Sequence, residues 1–242
     1  MQVSLMSTWI KICGNTNVQD ARLAVSAGAN ALGFIFAPSP RRMTAEQVRQ
    51  ITGAVPSAER IGIFVNESSQ KVAEVFEAAK LTGVQIHGDE SPAQVQEIRE
   101  RLEEFSSQNQ AERAGLRIIK TLYLTTSFPQ KLEEFSGSKL VDAILIDNFA
   151  AHQRGGTGRS FDWQVARELL PGNSKLRFII AGGLRPENVQ DALAILEPWG
   201  VDVASGLERE VGMKDPEKVR AFCAAVRNFR PLETVQSAKE KI

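Results

Sequence analysis

Cys13 and Asp147 each close a short apolar run, and each side chain can hold or release a proton. Cys13 ends the run Trp9-Ile10-Lys11-Ile12, and strand alternation puts Lys11 on the same face as the thiol. A neighbouring ammonium favours the thiolate, the form that can abstract a proton. A lone cysteine is equally at home as buried filler, and spacing alone leaves both readings open. Asp147 follows the apolar stretch 141–146, broken only by Asp142, and shares a face with Val141, Ala143 and Leu145. A carboxyl at the rim of an apolar interior is a general-acid candidate, because desolvation raises its pKa. A helix cap or loop brace fits the same spacing as well.

Other polar groups stand at comparable positions. Gly155-Gly156-Thr157-Gly158, Gly182-Gly183 and Ser205-Gly206 are three glycine-bearing stretches, each placed after an apolar run. Glycine lets backbone N–H groups approach an anion closely, and a helix N-terminus adds a favourable partial charge. Any one of them could be a plain tight turn; three together point to a phosphate site. Arg41-Arg42 lies in a proline-stiffened loop, where Arg42 could clamp a carboxylate through two parallel hydrogen bonds, while Arg41 reads as solvated. His87 could be a ligand, a hydrogen-bonding support or an acid/base, and with His152 the only other histidine no metal site is expected. Cys223, among Ala221, Phe222 and Ala224, reads as packing.

The elements that must position these residues alternate regularly. Apolar runs at 9–13, 31–36, 60–65, 83–87, 116–121, 141–147, 177–181 and 201–205 read as strands. Amphipathic segments at 18–27, 45–52, 70–80, 93–105, 128–135, 161–170, 186–196 and 216–227 read as helices. Ser91 before Pro92 and Asp215 before Pro216 match an N-cap followed by proline in the first turn. Eight strand–helix units make an α/β fold, a single (β/α)8 TIM barrel, whose active site lies beyond the C-terminal strand ends. The chain therefore reads as one domain over 1–242, with a core of about 9–228 and a polar tail at 231–242. The polar stretch 103–114 reads as an extended helix end or a surface excursion.

Composition bounds the ligand class. Of 242 residues 43% are hydrophobic, enough for a core, and 29 basic residues balance 29 acidic ones. No global field favours nucleic acid or an anionic membrane, so an anionic ligand must be held by local features. No apolar run reaches the ~18–20 residues of a membrane span, and the start lacks the basic flank and apolar stretch of a secretion signal. Two cysteines far apart supply no disulfide framework and fit a reducing compartment, so the chain reads as cytoplasmic.

The motifs taken together resemble the phosphoribosylanthranilate isomerases of tryptophan biosynthesis. The resemblance rests on Lys11-Ile12-Cys13-Gly14, Gly33-Phe34-Ile35-Phe36 with Pro38 to Arg42, Gly62-Ile63-Phe64-Val65-Asn66 and Val84-Gln85-Ile86-His87-Gly88. It continues through Gly155 to Gly158 with Phe161-Asp162-Trp163, Ala181-Gly182-Gly183-Leu184 with Pro186-Glu187-Asn188-Val189, and Val201 to Glu208 with Lys214-Asp215. It spans roughly 9–228; Asn15 and Ala204 stand where isoleucine and serine would be expected, and 103–114 is extra length. The resemblance implies a cofactor-free Amadori rearrangement of N-(5'-phosphoribosyl)anthranilate to its 1-deoxyribulose 5-phosphate isomer. Asp147 would be the general acid that opens the furanose, and Cys13 the base that removes the C2′ proton. Arg42 would hold the anthranilate carboxylate. The phosphate and the rest of the substrate would meet His87, Gly156, Gly158, Gly182, Gly183, Asp202, Ser205 and Gly206. The expected partner is a small phosphorylated substrate, with no nucleic acid or membrane and a monomer or weak homodimer as the assembly. The histidine-pathway sugar isomerases share the reaction but carry aspartate where Cys13 stands. The indole-forming synthases use a catalytic lysine and glutamates and an N-terminal helical extension. A phosphate-binding barrel without activity would have no need of Cys13, Asp147 and Arg42 together.

Overall fold

The computed structural model describes residues 8–108, 116–137, 139–147, 163–170 and 176–230. Eight parallel strands close into a barrel in chain order, with β1 paired to β8. They are β1 (Trp9–Ile12), β2 (Ala31–Ile35), β3 (Glu59–Phe64), β4 (Gly83–Ile86), β5 (Arg117–Tyr123), β6 (Ala143–Asp147), β7 (Phe178–Ile180) and β8 (Gly200–Val203). Helices alternate with them: α1 (Val18–Ser26), α2 (Ala45–Ala54), α3 (Ser69–Ala78), α4 (Pro92–Gln108), α5 (Phe128–Phe135), α6 (Trp163–Leu169), α7 (Val189–Leu196) and α8 (Pro216–Asn228). The expected (β/α)8 TIM barrel is the observed one. None of the helices among the described residues is long and apolar enough to cross a membrane.

Strand alternation sorts the apolar residues into two cores. Trp9, Ile61, Ile119, Leu145 and Ile179 fill the barrel, whereas Ile10, Leu32, Phe34, Ile144 and Val201 pack outward under the helices. The N-terminal end of the barrel is plugged by Trp9 stacked on Trp199 at 5.1 Å, with the Arg117 guanidinium over both rings. Glu59 ties this plug, accepting from Trp9 Nε1 at 3.1 Å and from Arg117 at 2.5 and 3.0 Å. That leaves the opposite, C-terminal end as the mouth.

Local chemistry starts the helices where the sequence indicated. Asp215 accepts from the N–H groups of Glu217 (2.9 Å) and Lys218 (3.2 Å) as α8 begins at Pro216. Ser91 and Gln94 exchange hydrogen bonds at the start of α4. Helix α4 runs on to Gln108, so the first part of the polar 103–114 stretch is an extended helix end, and 109–114 lies outside the described residues. Two boundaries matter for the mouth. β5 extends two residues past the expected 121, which carries Tyr123 to the rim beside Asp147. Between β8 and α8 the chain adds a short 3-10 turn (Ser205–Leu207) and a hairpin, β9 (Glu208–Glu210) and β10 (Met213–Lys214), that periodicity did not reveal. Its strands are too short to show alternation; the only sequence cue is Gly212, whose φ of 80° closes the turn.

Candidate active site

Cys13 follows β1 directly, and its N–H donates to the Val203 carbonyl at 2.8 Å, which continues the β1–β8 pairing to the rim. β2 leaves space for the thiol. A Cβ on Gly33 would sit 2.8 Å from Cys13 Sγ, so any side chain there would displace the sulfur. Gly14 then turns the chain at φ +72°, with the Arg41 side chain packed where a Cβ would stand. Cys13 retains 7% of its surface, while Lys11, one layer deeper on the same inward face, is fully buried.

The charges around the thiol do more than the sequence suggested. Burial is the largest influence and pushes Cys13 up; Lys11 and Lys214 oppose that rise and Asp202 adds to it. The net direction is upward, so the Lys11 ammonium moderates the loss of thiolate without reversing it. Burial also works against the charge on Lys11, yet Asp202 and Cys13 outweigh it and hold its pKa above the usual lysine value. Lys11 Nζ donates to Asp202 Oδ2 at 2.9 Å across the β1–β8 seam.

A second buried network lies under the same loops. Lys214 Nζ donates to the Cys13 carbonyl (2.6 Å), the Ala204 carbonyl (3.1 Å) and Glu208 Oε1 (3.2 Å), so all three of its protons are engaged. Burial lowers its pKa, against the pull of Glu208 and Cys13. Arg41 departs from the solvated residue the sequence suggested. Its guanidinium clamps Glu208 through two bonds of 2.7 and 2.5 Å, because the β9–β10 hairpin brings that carboxylate to the β2–α2 loop. Burial raises the Glu208 carboxyl, but the bonds from Arg41 and the charge of Lys214 outweigh it, and its pKa falls. Sequence reasoning missed this brace because Arg41 and Glu208 are 167 residues apart.

Asp147 ends β6 on the inward face, with its Oδ2 3.7 Å from His87 Nε2. His87 follows β4 and is held from below: its Nδ1 lies 2.8 Å from Gln85 Nε2 and 2.9 Å from Thr121 Oγ1. Nε2 is the nitrogen that faces Asp147. Tyr123 completes the corner, its ring edge-on to His87 and its hydroxyl donating to the His87 carbonyl at 3.2 Å. Burial first and the Asp147 charge second push Tyr123 up to about 12, so it remains a phenol and a donor. Tyr123, Gln85 and Thr121 were not singled out in the sequence, although continuing the alternation past 121 in β5 would have found the tyrosine.

The glycine loops lie beside one another at the ends of β7 and β8. Gly182 and Gly183 both have positive φ, at 82° and 76°. Gly206 meets the first of these loops so closely that a Cβ on it would stand 2.0 Å from the Leu184 carbonyl oxygen. Ser205 and Gly206 open the 3-10 turn, where N–H groups have no acceptor within the turn itself. Gly156 and Gly158 lie outside the described residues. Arg42 is exposed and bridges to Ile35, at the edge of a cleft of about 650 Å³ lined also by Phe36, Phe64, Glu67 and Lys71. Among the described residues its guanidinium has no carboxylate partner. Asp202 sits below the mouth; one oxygen is taken by Lys11 and the other, Oδ1, is buried without a partner among the described residues.

Known proteins share this fold and much of this sequence. The family model described as N-(5'phosphoribosyl)anthranilate (PRA) isomerase matches residues 10–225. An N-(5'-phosphoribosyl)anthranilate isomerase of Rubrobacter xylanophilus is 38% identical over 221 residues, covering 90% of this chain and 98% of the relative. The crystal structure of phosphoribosyl anthranilate isomerase from Thermus thermophilus superposes with a TM-score of 0.74 at 33% identity, over 92% of this chain and all of that one. A phosphoribosyl anthranilate isomerase solved in complex with reduced 1-(o-carboxyphenylamino)-1-deoxyribulose 5-phosphate superposes with a TM-score of 0.70 at 30% identity, over 90% of this chain and 98% of that one. A match that runs from the first barrel strand into the last helix, with relatives this similar along their whole length, places this chain in the N-(5'-phosphoribosyl)anthranilate isomerase family.

Proposed function

We propose that this chain carries out the family's isomerisation, a step of tryptophan biosynthesis, by acid–base catalysis between Asp147 and Cys13. The observation that carries the reading is their placement. Both close strands, β1 and β6, on the inward face of the same rim, so a substrate in the mouth meets both. Asp147 gives its proton to the furanose ring oxygen as the C1′–O bond breaks, and the anilino nitrogen lone pair forms the C1′=N bond of a protonated Schiff base. The Cys13 thiolate then removes the C2′ proton, and the C–H electron pair becomes the C1′=C2′ bond of an enolamine. In the last step C1′ takes the proton from the Cys13 thiol, the C2′ hydroxyl gives its proton to the Asp147 carboxylate, and the C1′=C2′ electrons move to the new C1′–H bond as the C2′ ketone forms, so both groups return to their starting states. Positioned groups of this kind supply about 10²–10⁴-fold each.

Substrate contacts follow from the polar groups at the same end of the barrel. The exposed Arg42 guanidinium suits the anthranilate carboxylate, which it can meet with two parallel bonds. His87 Nε2 faces Asp147 and can support it or meet the sugar. Asp202 Oδ1 can accept from a ribose hydroxyl. The backbone at Gly182, Gly183, Ser205 and Gly206 suits the phosphate, and the family resemblance adds Gly156 and Gly158, which lie outside the described residues. The relative solved with a reduced 1-deoxyribulose 5-phosphate supports a small phosphorylated ligand. Two unpaired cysteines support a cytoplasmic protein. We read 1–242 as one domain acting as a monomer or weak homodimer. Purified protein given N-(5'-phosphoribosyl)anthranilate should convert it, as followed by anthranilate fluorescence. Binding without conversion would reduce the chain to a phosphate-ligand barrel.

A further inference from the structure

Below Cys13 the barrel interior holds a pair of opposite charges that the acid–base scheme does not use. Lys11 is fully buried two residues before Cys13 on the same inward face, and its ammonium donates to Asp202 Oδ2 at 2.9 Å. A staple joining β1 to β8 could be made from apolar side chains at no such desolvation cost. The chemistry of this pair is therefore best sought in its neighbour. Four charged groups lie close enough to act on the thiol: Lys11 from its own strand, Asp202 from β8, Lys214 from the hairpin, and Arg41 from the β2–α2 loop. Glu208 stands behind the last two and occupies both. Lys214 has spent its protons on two carbonyls and Glu208. Arg41 is likewise committed to Glu208. Lys11 donates to one carboxylate oxygen and has protons left to give the sulfur. Asp202 in turn leaves Oδ1 buried with no partner among the described residues, so its charge is not saturated.

We infer that Lys11 is a positioning residue for Cys13, the buried counter-ion that lets the thiol ionise inside the barrel, and that Asp202 limits how much of that charge the sulfur feels. The inference rests on the reading of Cys13 as the base, but it is tested on ionisation and not on turnover. Removing Lys11 and removing Asp202 act in opposite directions on one sulfur. A merely structural staple would lose stability in both variants and leave the ionisation of Cys13 alone.

The test is the pH dependence of Cys13 alkylation by iodoacetamide, with modification at Cys13 and at Cys223 counted separately by peptide mass spectrometry. Full-length wild type, Lys11→Met, Asp202→Asn and the double variant are compared from roughly pH 6 to 11. The midpoint for Lys11→Met should move up by about one unit or more, so that alkylation at a fixed pH below it slows about tenfold or more. The midpoint for Asp202→Asn should move down. The double variant leaves no unpaired buried charge, so it serves if Lys11→Met fails to fold, and its midpoint should lie above wild type and below Lys11→Met. An unchanged midpoint in Lys11→Met or in the double variant, or shifts of the same sign in Lys11→Met and Asp202→Asn, would overturn the inference. Full turnover in Cys13→Ser would instead overturn the base assignment, whatever the midpoints do.

Discussion

Replacing Gly206 by alanine puts a methyl group against the backbone of the neighbouring loop, and the geometry sets the size of the effect. The new Cβ would lie 2.0 Å from the Leu184 carbonyl oxygen and 2.9 Å from Arg185 Cγ, where ordinary contact begins near 3.4 Å. The arginine side chain can swing away, but the carbonyl belongs to the turn that follows Gly182-Gly183 and cannot. The two loops must therefore part by about 1.4 Å. Overpacking of this kind costs about 1–3 kcal/mol of stability. That lowers Tm by roughly 2–12 °C, at ~2–4 °C per kcal/mol for a domain of this size. The functional cost is larger if both loops grip the phosphate. Losing one charge-assisted bond of about 1.5–3 kcal/mol reduces kcat/KM by roughly 10- to 150-fold. The assay is steady-state turnover together with a thermal melt. Gly53→Ala is the control, because Gly53 lies within α2 with nothing inside 4 Å of its Cβ position. If Gly206→Ala kept full kcat/KM while Tm fell, the loops would be touching for structural reasons alone, and the phosphate assignment would go.

Gly53→Ala should itself stabilise the protein by about 0.4–1 kcal/mol, because alanine restricts the unfolded chain and Gly53, in the last turn of α2, has no positive φ that alanine would strain. A lower denaturant midpoint than wild type would contradict the open space around it. Lys214→Met should destabilise by about 3 kcal/mol, the low end for breaking a buried pair because Glu208 keeps Arg41. The expected Tm loss is roughly 6–12 °C, and a melt within about 2 °C of wild type would show that the brace under Cys13 is dispensable.

What the sequence made legible was periodic. Alternation along short apolar runs placed Cys13 and Asp147 on inward faces at the rim, and the eight-fold repeat identified the barrel. Side chains whose partners lie far along the chain were not legible. Arg41 looked solvated because nothing local to it reveals Glu208, and Lys214, read only as part of a motif, had no role until the hairpin carried it under Cys13. The sign on Cys13 was also out of reach, since it depends on how burial compares with the two ammonium groups, a balance that spacing does not contain. The Lys120–Glu90 pair has the same origin. Lys120 faces outward from β5 and is buried only because the β4–α4 loop folds over it, where it also holds the Gly88 carbonyl at 2.6 Å beside His87.

Measuring kcat alongside product affinity in Cys13→Ser and Asp147→Asn tests the division of labour between Cys13 and Asp147. Each variant should lose about 10²–10⁴-fold in kcat while the dissociation constant of the 1-deoxyribulose 5-phosphate product stays within about twofold. Turnover near wild type in either variant would contradict it.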